Sequence, residues 1–183
     1  IRANLANEAV AMVEHLEREF TIHAQAINRM AARLHVEPET TEAAWRADAR
    51  HYLNDFGVYQ AIEWIDREFV IRWLEPVSGN HNVVGYNVAF SDRRRQALET
   101  ARTTGQYDIS GIIDLKQGGK GMVIYAPVGT GANNNGFIAG VFQIETLVQQ
   151  LLTSRVLQSF QVDIRDNGEL SYQLNSLADT SEH

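Results

Sequence analysis

The run Arg93-Arg94-Arg95 is the densest cluster of charge in the sequence, and the helical repeat assigns its three guanidiniums different tasks. Ser91 is a capping residue, Asp92 complements a helix dipole and Gly105 is a stop signal, so a helix is predicted over 91–104. Ala97, Leu98 and Ala101 form its apolar face, and Arg94 lies three, four and seven residues before them, so Arg94 points inward. Arg95 lines up with Glu99, with Arg102 three residues further on, which gives those arginines a solvated pairing role. An inward guanidinium beside a sheet must meet an anion, either a carboxylate of the same fold or an acidic group of a ligand. Both partners stay open at this level.

Period-two alternation supplies the surface that such a ligand would meet. Ser110 and Ile112 share one direction on a predicted strand over 107–115, Val123 and Tyr125 on 122–128, and Ile138, Gly140 and Phe142 on 136–144. The expectation is that these side chains face Arg94 together, Gly140 leaving room where a larger residue would fill it. One hydroxyl, one phenol, apolar walls and an arginine make a small-molecule pocket, although a closed sheet core has the same alternation.

Other chemistry fails on context. Gly118-Gly119-Lys120-Gly121 lacks the Ser/Thr and the following helix of a phosphate loop; strand residues follow it, so it reads as a hairpin turn. The six histidines have no metal-ligand spacing, and no nucleophile elbow is present. Asp108 and Asp114 share a strand face and could supply a base, but solvation at a sheet edge accounts for them better. No catalytic set, metal site or cofactor is implied.

The elements that must position these residues begin with a helix over 1–35, free of proline and glycine. Ala9, Val13, Leu16, Phe20, His23, Ile27, Met30 and Leu34 recur at alternating steps of four and three, a heptad seam with one polar member. It predicts a stalk that self-associates in parallel, packing on its own domain being the other reading. His23 is a register or packing residue before it is a pH sensor. A second helix is placed at 39–55, a hairpin at 59–65 and 69–74, and a polar loop at 76–82. After the three strands named above come a helix over 145–158, strands at 160–165 and 170–174 around an Asp166-Asn167-Gly168 turn, and a polar tail. Strands clustered rather than alternating with helices point to an α+β fold: a long stalk helix, then a PAS-like five-stranded antiparallel sheet with flanking helices. The final hairpin has no partner in that sheet and would begin a second, smaller PAS-like lobe. The division is a stalk over 1–36, a PAS-like lobe over 37–144 and the start of a second, smaller lobe over 145–183.

Composition narrows the function. Sixteen basic against 23 acidic residues give a net charge of −7, unlike the basic face of a nucleic-acid binder. The absence of cysteine removes thiolate metal sites and disulfides and fits cytosol and periplasm equally. No apolar run reaches a membrane span, and the start at Ile1 reads as a piece excised from a longer protein.

Taken in order, Ala61-Ile62-Glu63-Trp64, Arg72-Trp73 before Pro76, Arg94 with Ala97-Leu98, Thr104-Gly105, Ile109-Ser110-Gly111, Leu115 with Gln117-Gly118-Gly119, Tyr125-Ala126-Pro127-Val128, and Gly136-Phe137 with Gly140-Val141-Phe142 form a specific succession. Over 56–152 it resembles the CHASE domain, the extracytoplasmic sensor module of receptor histidine kinases and nucleotide cyclases. The resemblance implies a stalk helix and two PAS-like lobes between two membrane spans, a dimer, and a ligand in the membrane-distal lobe, which makes 37–144 the ligand-binding lobe and 145–183 the start of the membrane-proximal one. In plant cytokinin receptors an aspartate that contacts adenine stands where Arg94 stands here. An arginine cannot accept purine N–H bonds, so adenine-type cytokinins do not fit and a carboxylate or phosphate does. Tyr125 replaces the plant threonine, Ser110 and Leu115 follow the family pattern, and Lys116 falls where a backbone contact is usual. The expected site is therefore Arg94, Ser110, Leu115, Lys116, Tyr125, Gly140 and Phe142. The expected protein is a non-enzymatic periplasmic sensor of an inner-membrane receptor, signalling through a stalk dimer to a histidine kinase or diguanylate cyclase. A small periplasmic hydrolase and a ligand-free dimerising spacer are the alternatives.

Overall fold

A computed structural model describes residues 2–116, 118–152 and 162–174. Helix α1 (Arg2–Val36) runs unbroken through the alanine-rich N-terminal segment. Helix α2 (Glu42–Phe56) is capped by the Thr41 hydroxyl on Ala44 N and ends at Gly57, which takes the left-handed φ of 65° its cap requires. This start lies three residues later than the sequence predicts, because Thr41, not Pro38, governs the first turn. Strands β1 (Tyr59–Asp66) and β2 (Ile71–Glu75) form the expected hairpin, with Asp66 Oδ1 accepting Glu68 N and Val70 N in the turn. Helix α3 (Asp92–Thr104) is capped by Ser91 and closed by Gly105 as predicted.

The predicted strand over 107–115 is two short pieces, β3 (Asp108–Ile109) and β4 (Ile113–Asp114), separated where Gly111 takes a φ of 68°. Both pair with β5 (Lys120–Val128), which pairs with β6 (Gly136–Gln143). Gly118 and Gly119 turn the chain between β4 and β5, so the Gly-Gly-Lys-Gly run is a hairpin turn. Helix α4 (Ile144–Leu151) follows at once, and strands β7 (Val162–Asp166) and β8 (Glu169–Leu174) form a separate two-stranded hairpin. The rest of the predicted 145–158 helix, residues 160 and 161 and the tail lie outside the described residues.

The main sheet has the order β2-β1-β6-β5-β3, with β4 beside β5, and every neighbour is antiparallel. This is the α+β sheet the clustered strands implied. Both faces are covered, which is why β5 and β6 are nearly continuous apolar runs. One face carries α1 and α2 over Ile62, Ile124, Ala126, Ile138 and Phe142; the other carries α3 and the loop before it over Ala61, Ile65, Val123, Tyr125 and Phe137.

The heptad seam divides between two environments. His23, Ile27, Met30 and Leu34 are buried in the core beneath α1, and Phe20 packs on Phe142 with centroids 5.9 Å apart. Leu16 meets the α4 cluster, whereas Val13 is 51% exposed. The lower seam is therefore intramolecular, the reading the four-three spacing had ranked second. His23 is a packing residue there: its ring lies edge-on to Phe56 and Tyr59, and burial lowers its pKa.

Candidate functional site

Register decides which side chains meet Arg94. Tyr125 pairs with Ala139, Ala139 with Glu63 and Glu63 with Leu74, so these four form one row across β5, β6, β1 and β2. Side chains directly opposite one another share a face, and this is the face covered by α3. Gly140 pairs with Ile124 and Phe142 with Met122, which places both on the other face, beneath α1. That corrects the expectation that Gly140 and Phe142 line the Arg94 pocket: the assumed registers were one residue out, and a one-residue shift exchanges the faces. A Cβ on Gly140 would lie 2.9 Å from Ile27 Cγ1 and 3.1 Å from Tyr59 Cε1, so its missing side chain admits α1 and not a ligand.

Ser110 is corrected as well. Its Oγ accepts Val123 N at 3.0 Å and donates to the Gly111 carbonyl at 2.8 Å, patching the ladder where β3 breaks off. The hydroxyl is thus committed to the backbone. Asp114 pairs with Lys120 Nζ at 2.7 Å and Asp108 Oδ1 accepts Ile109 N.

The remaining expected residues do come together. Arg94, 6% exposed, donates from Nη1 to Tyr125 Oη and from Nη2 to the Asp114 carbonyl, both at 3.4 Å, with its guanidinium 5.3 Å from the Phe90 ring centroid. Among the described residues no carboxylate lies within ion-pair distance of it. Leu115 and Lys116 line the same small cavity, and Lys116 Nζ sits 4.0 Å above the Tyr86 ring. The cavity, about 10 Å³, is closed by Ile71, Val83, Val88 and Val141. Larger grooves of about 500 and 540 Å³ lie along α1, but their charges are exposed or paired, as Arg33 is with Asp48. Arg94 also borders an open cleft of about 440 Å³ between α3 and the β7–β8 hairpin.

The residue the sequence reading missed is Glu63. It is 4% exposed, lines the cavity with Arg94, and receives no hydrogen bond from any described residue. Burial pushes its pKa up to about 7, the facing Arg94 opposing that rise. Burial likewise raises Tyr125 to about 12, so the phenol holds its proton. The signal was present in Ala61-Glu63-Ile65, an acid in the inward row of a strand otherwise apolar on that face. Arg95 also departs from expectation, reaching Asp92 and the Ala89 carbonyl instead of Glu99, which pairs with Arg102.

The CHASE domain family model matches residues 11–175. The chain belongs to the CHASE domain family. As a CHASE domain it is an extracytoplasmic sensor domain. No curated protein matches it. Among solved structures, this CHASE domain is similar to an extracellular ligand-binding receptor from Desulfohalobium retbaense, at 15% identity and TM-score 0.62 over 79% of this chain and 26% of that one. It is also similar to the ligand-binding domain of the Pseudomonas fluorescens chemoreceptor CtaA in complex with L-isoleucine, at 14% identity and TM-score 0.64 over 93% and 69% of the two chains. The ligand-binding domain of the Pseudomonas aeruginosa amino-acid chemoreceptor PctC in complex with GABA matches at 15% identity and TM-score 0.61, over 88% and 70%. Likeness at this identity establishes the fold. The CHASE domain spans about 63% of the CtaA structure in complex with L-alanine and a smaller part of the Desulfohalobium receptor.

Proposed function

We propose that this domain senses a small molecule bearing a carboxylate or phosphate, held between α3 and the sheet with Arg94 as its anchor and Lys116 at the mouth. The observation that carries the reading is a buried guanidinium with no carboxylate in ion-pair contact among the described residues. Two hydrogen bonds of 3.4 Å leave most of its donors unused, and a charge withdrawn from water without a counter-ion is costly unless a ligand supplies one. The amino acids and GABA named with the chemoreceptor structures all carry a carboxylate. A spacer without a ligand gives no account of that guanidinium.

The full protein on this reading is a receptor of the inner membrane facing the periplasm, with membrane spans flanking this domain. The β7–β8 hairpin begins its membrane-proximal lobe, and a histidine kinase or diguanylate cyclase provides the output. Ligand binding biases two arrangements of a parallel dimer built on the upper part of α1, which requires different affinity for the two arrangements. The cavity of about 10 Å³ holds no more than a water, so a ligand enters as the loop bearing Tyr86 and Phe90 lifts from Lys116 and Arg94.

A thermal-shift screen of the chain against monocarboxylates, dicarboxylates, organic phosphates and amino acids tests this. At least one class should raise Tm, and Arg94→Ala should weaken that ligand about ten- to a hundredfold, the value of a charge-assisted hydrogen bond. Binding that survives Arg94→Ala overturns the assignment.

A further inference from the structure

We infer that the cavity selects ligands carrying both a carboxylate and a protonated amine, Glu63 receiving the ammonium while Arg94 holds the acid. The inference rests on the proposed Arg94 site and adds its second pole. Glu63 and Arg94 line one cavity and interact electrostatically, yet they form no ion pair. Two other carboxylates withdrawn from water, Glu75 and Asp166, are satisfied. Glu75, 6% exposed, accepts Arg50 Nε at 3.0 Å and Arg46 Nη1 at 3.3 Å. Asp166 accepts Ile112 N at 2.9 Å and pairs with Arg93. Glu63 has no such bond, so one cavity holds an unneutralised cation and an unneutralised acid on different elements, α3 and β1.

A plain anion answers only one of them. It would settle beside Arg94 with Glu63 close by, and the acid would have to stay protonated to avoid repulsion. An amine alone has the opposite fault, because Arg94 and Lys116 repel it. A zwitterion satisfies both poles at once, and its ammonium draws the proton off Glu63. The proton balance follows directly: the Glu63 carboxyl loses H⁺ to solvent as the carboxylate–ammonium pair forms, and nothing is oxidised or reduced. Burial holds Glu63 largely protonated at pH 6, so each ligand bound there releases most of one proton.

Isothermal titration of the chain with the natural L-α-amino acids, 4-aminobutyrate, propionate and n-propylamine tests this. A zwitterion should bind at least ten times more tightly than propionate and n-propylamine. At pH 6 its enthalpy should differ between MES and bis-Tris, which both buffer there and have different ionisation heats, in proportion to the release of nearly one proton. Glu63→Gln keeps the shape, so it should abolish that buffer dependence, weaken the zwitterion about ten- to a hundredfold, and leave propionate as tight or tighter. Propionate binding the wild type as tightly as the best zwitterion overturns the inference and leaves the Arg94 reading standing. Zwitterion binding unchanged in Glu63→Gln overturns it equally. If no amino acid binds, the inference falls, and the dicarboxylate and phosphate arms of the thermal screen decide the Arg94 reading on their own.

Discussion

Glu63 and Arg94 line one small cavity, and a buried acid there makes folding depend on pH. Its ordinary value is 4.5 and burial raises it to about 7, so the unfolded chain gives up the proton first. The stability this group contributes is complete below pH 4.5 and lost as pH rises through about 7. Tm followed from pH 4 to pH 8 should show Glu63→Gln matching the wild type at the acid end and exceeding it above pH 7. Two residues first assigned to the ligand make structural predictions instead. Ser110→Ala strips Val123 N of its buried acceptor and should cost about 1–3 kcal/mol in urea unfolding without altering ligand affinity. Gly140→Leu drives a side chain into Ile27 and Tyr59 and should cost at least about 1–3 kcal/mol by overpacking, with the Arg94 cavity untouched. A ligand-affinity loss in either variant at full stability would contradict these placements.

Helix α1 meets two environments along one seam. From His23 to Leu34 it covers the sheet, which the burial of Ile27, Met30 and Leu34 makes plain. At its upper end Val10 and Val13 are 59% and 51% exposed. Ile27→Asp should therefore prevent folding outright, since it places a charge in a dry core. Val13→Asp should leave the unfolding free energy within about half a kcal/mol of wild type, the usual effect of a surface change, while lowering the dimer fraction in sedimentation equilibrium. If Val13→Asp left that fraction unchanged, the upper seam would not be the dimer contact. The alternating four-three spacing was legible in the sequence, but an apolar seam looks the same whether a second helix or a sheet covers it. Only the length of α1 that overlies β5 and β6 separates the two uses.

Across the whole molecule, the β7–β8 hairpin packs Val162, Ile164 and Tyr172 on the cluster of Ile144, Val148 and Leu152 and is fastened to the sensor lobe by a polar clasp. Asp166 accepts Ile112 N and pairs with Arg93, the neighbour of Arg94, beside the chain break between β3 and β4. The Ile112 amide, and after it Arg93, hold the Asp166 carboxyl below its usual range. Asp166→Ala should speed hydrogen exchange across 162–174 while the main sheet keeps its protection; equal loss in both would mean that the hairpin and the sheet open as one unit. The clasp joins segments far apart in sequence, and no local pattern in either segment announced it. What the sequence determined by itself was local: the α+β layout, the Ser91 cap and Gly105 stop of α3, the inward aim of Arg94, and the order of motifs that marks a CHASE domain. Caps, turns and helical periodicity act within a few residues, so they can be read without the fold. Strand register is set by pairing between distant segments, and a shift of one residue moves every side chain to the other face. The tertiary structure alone therefore decided that Gly140 and Phe142 lie under α1, that Ser110 is used by the backbone, and that Glu63 and Arg94 line one cavity.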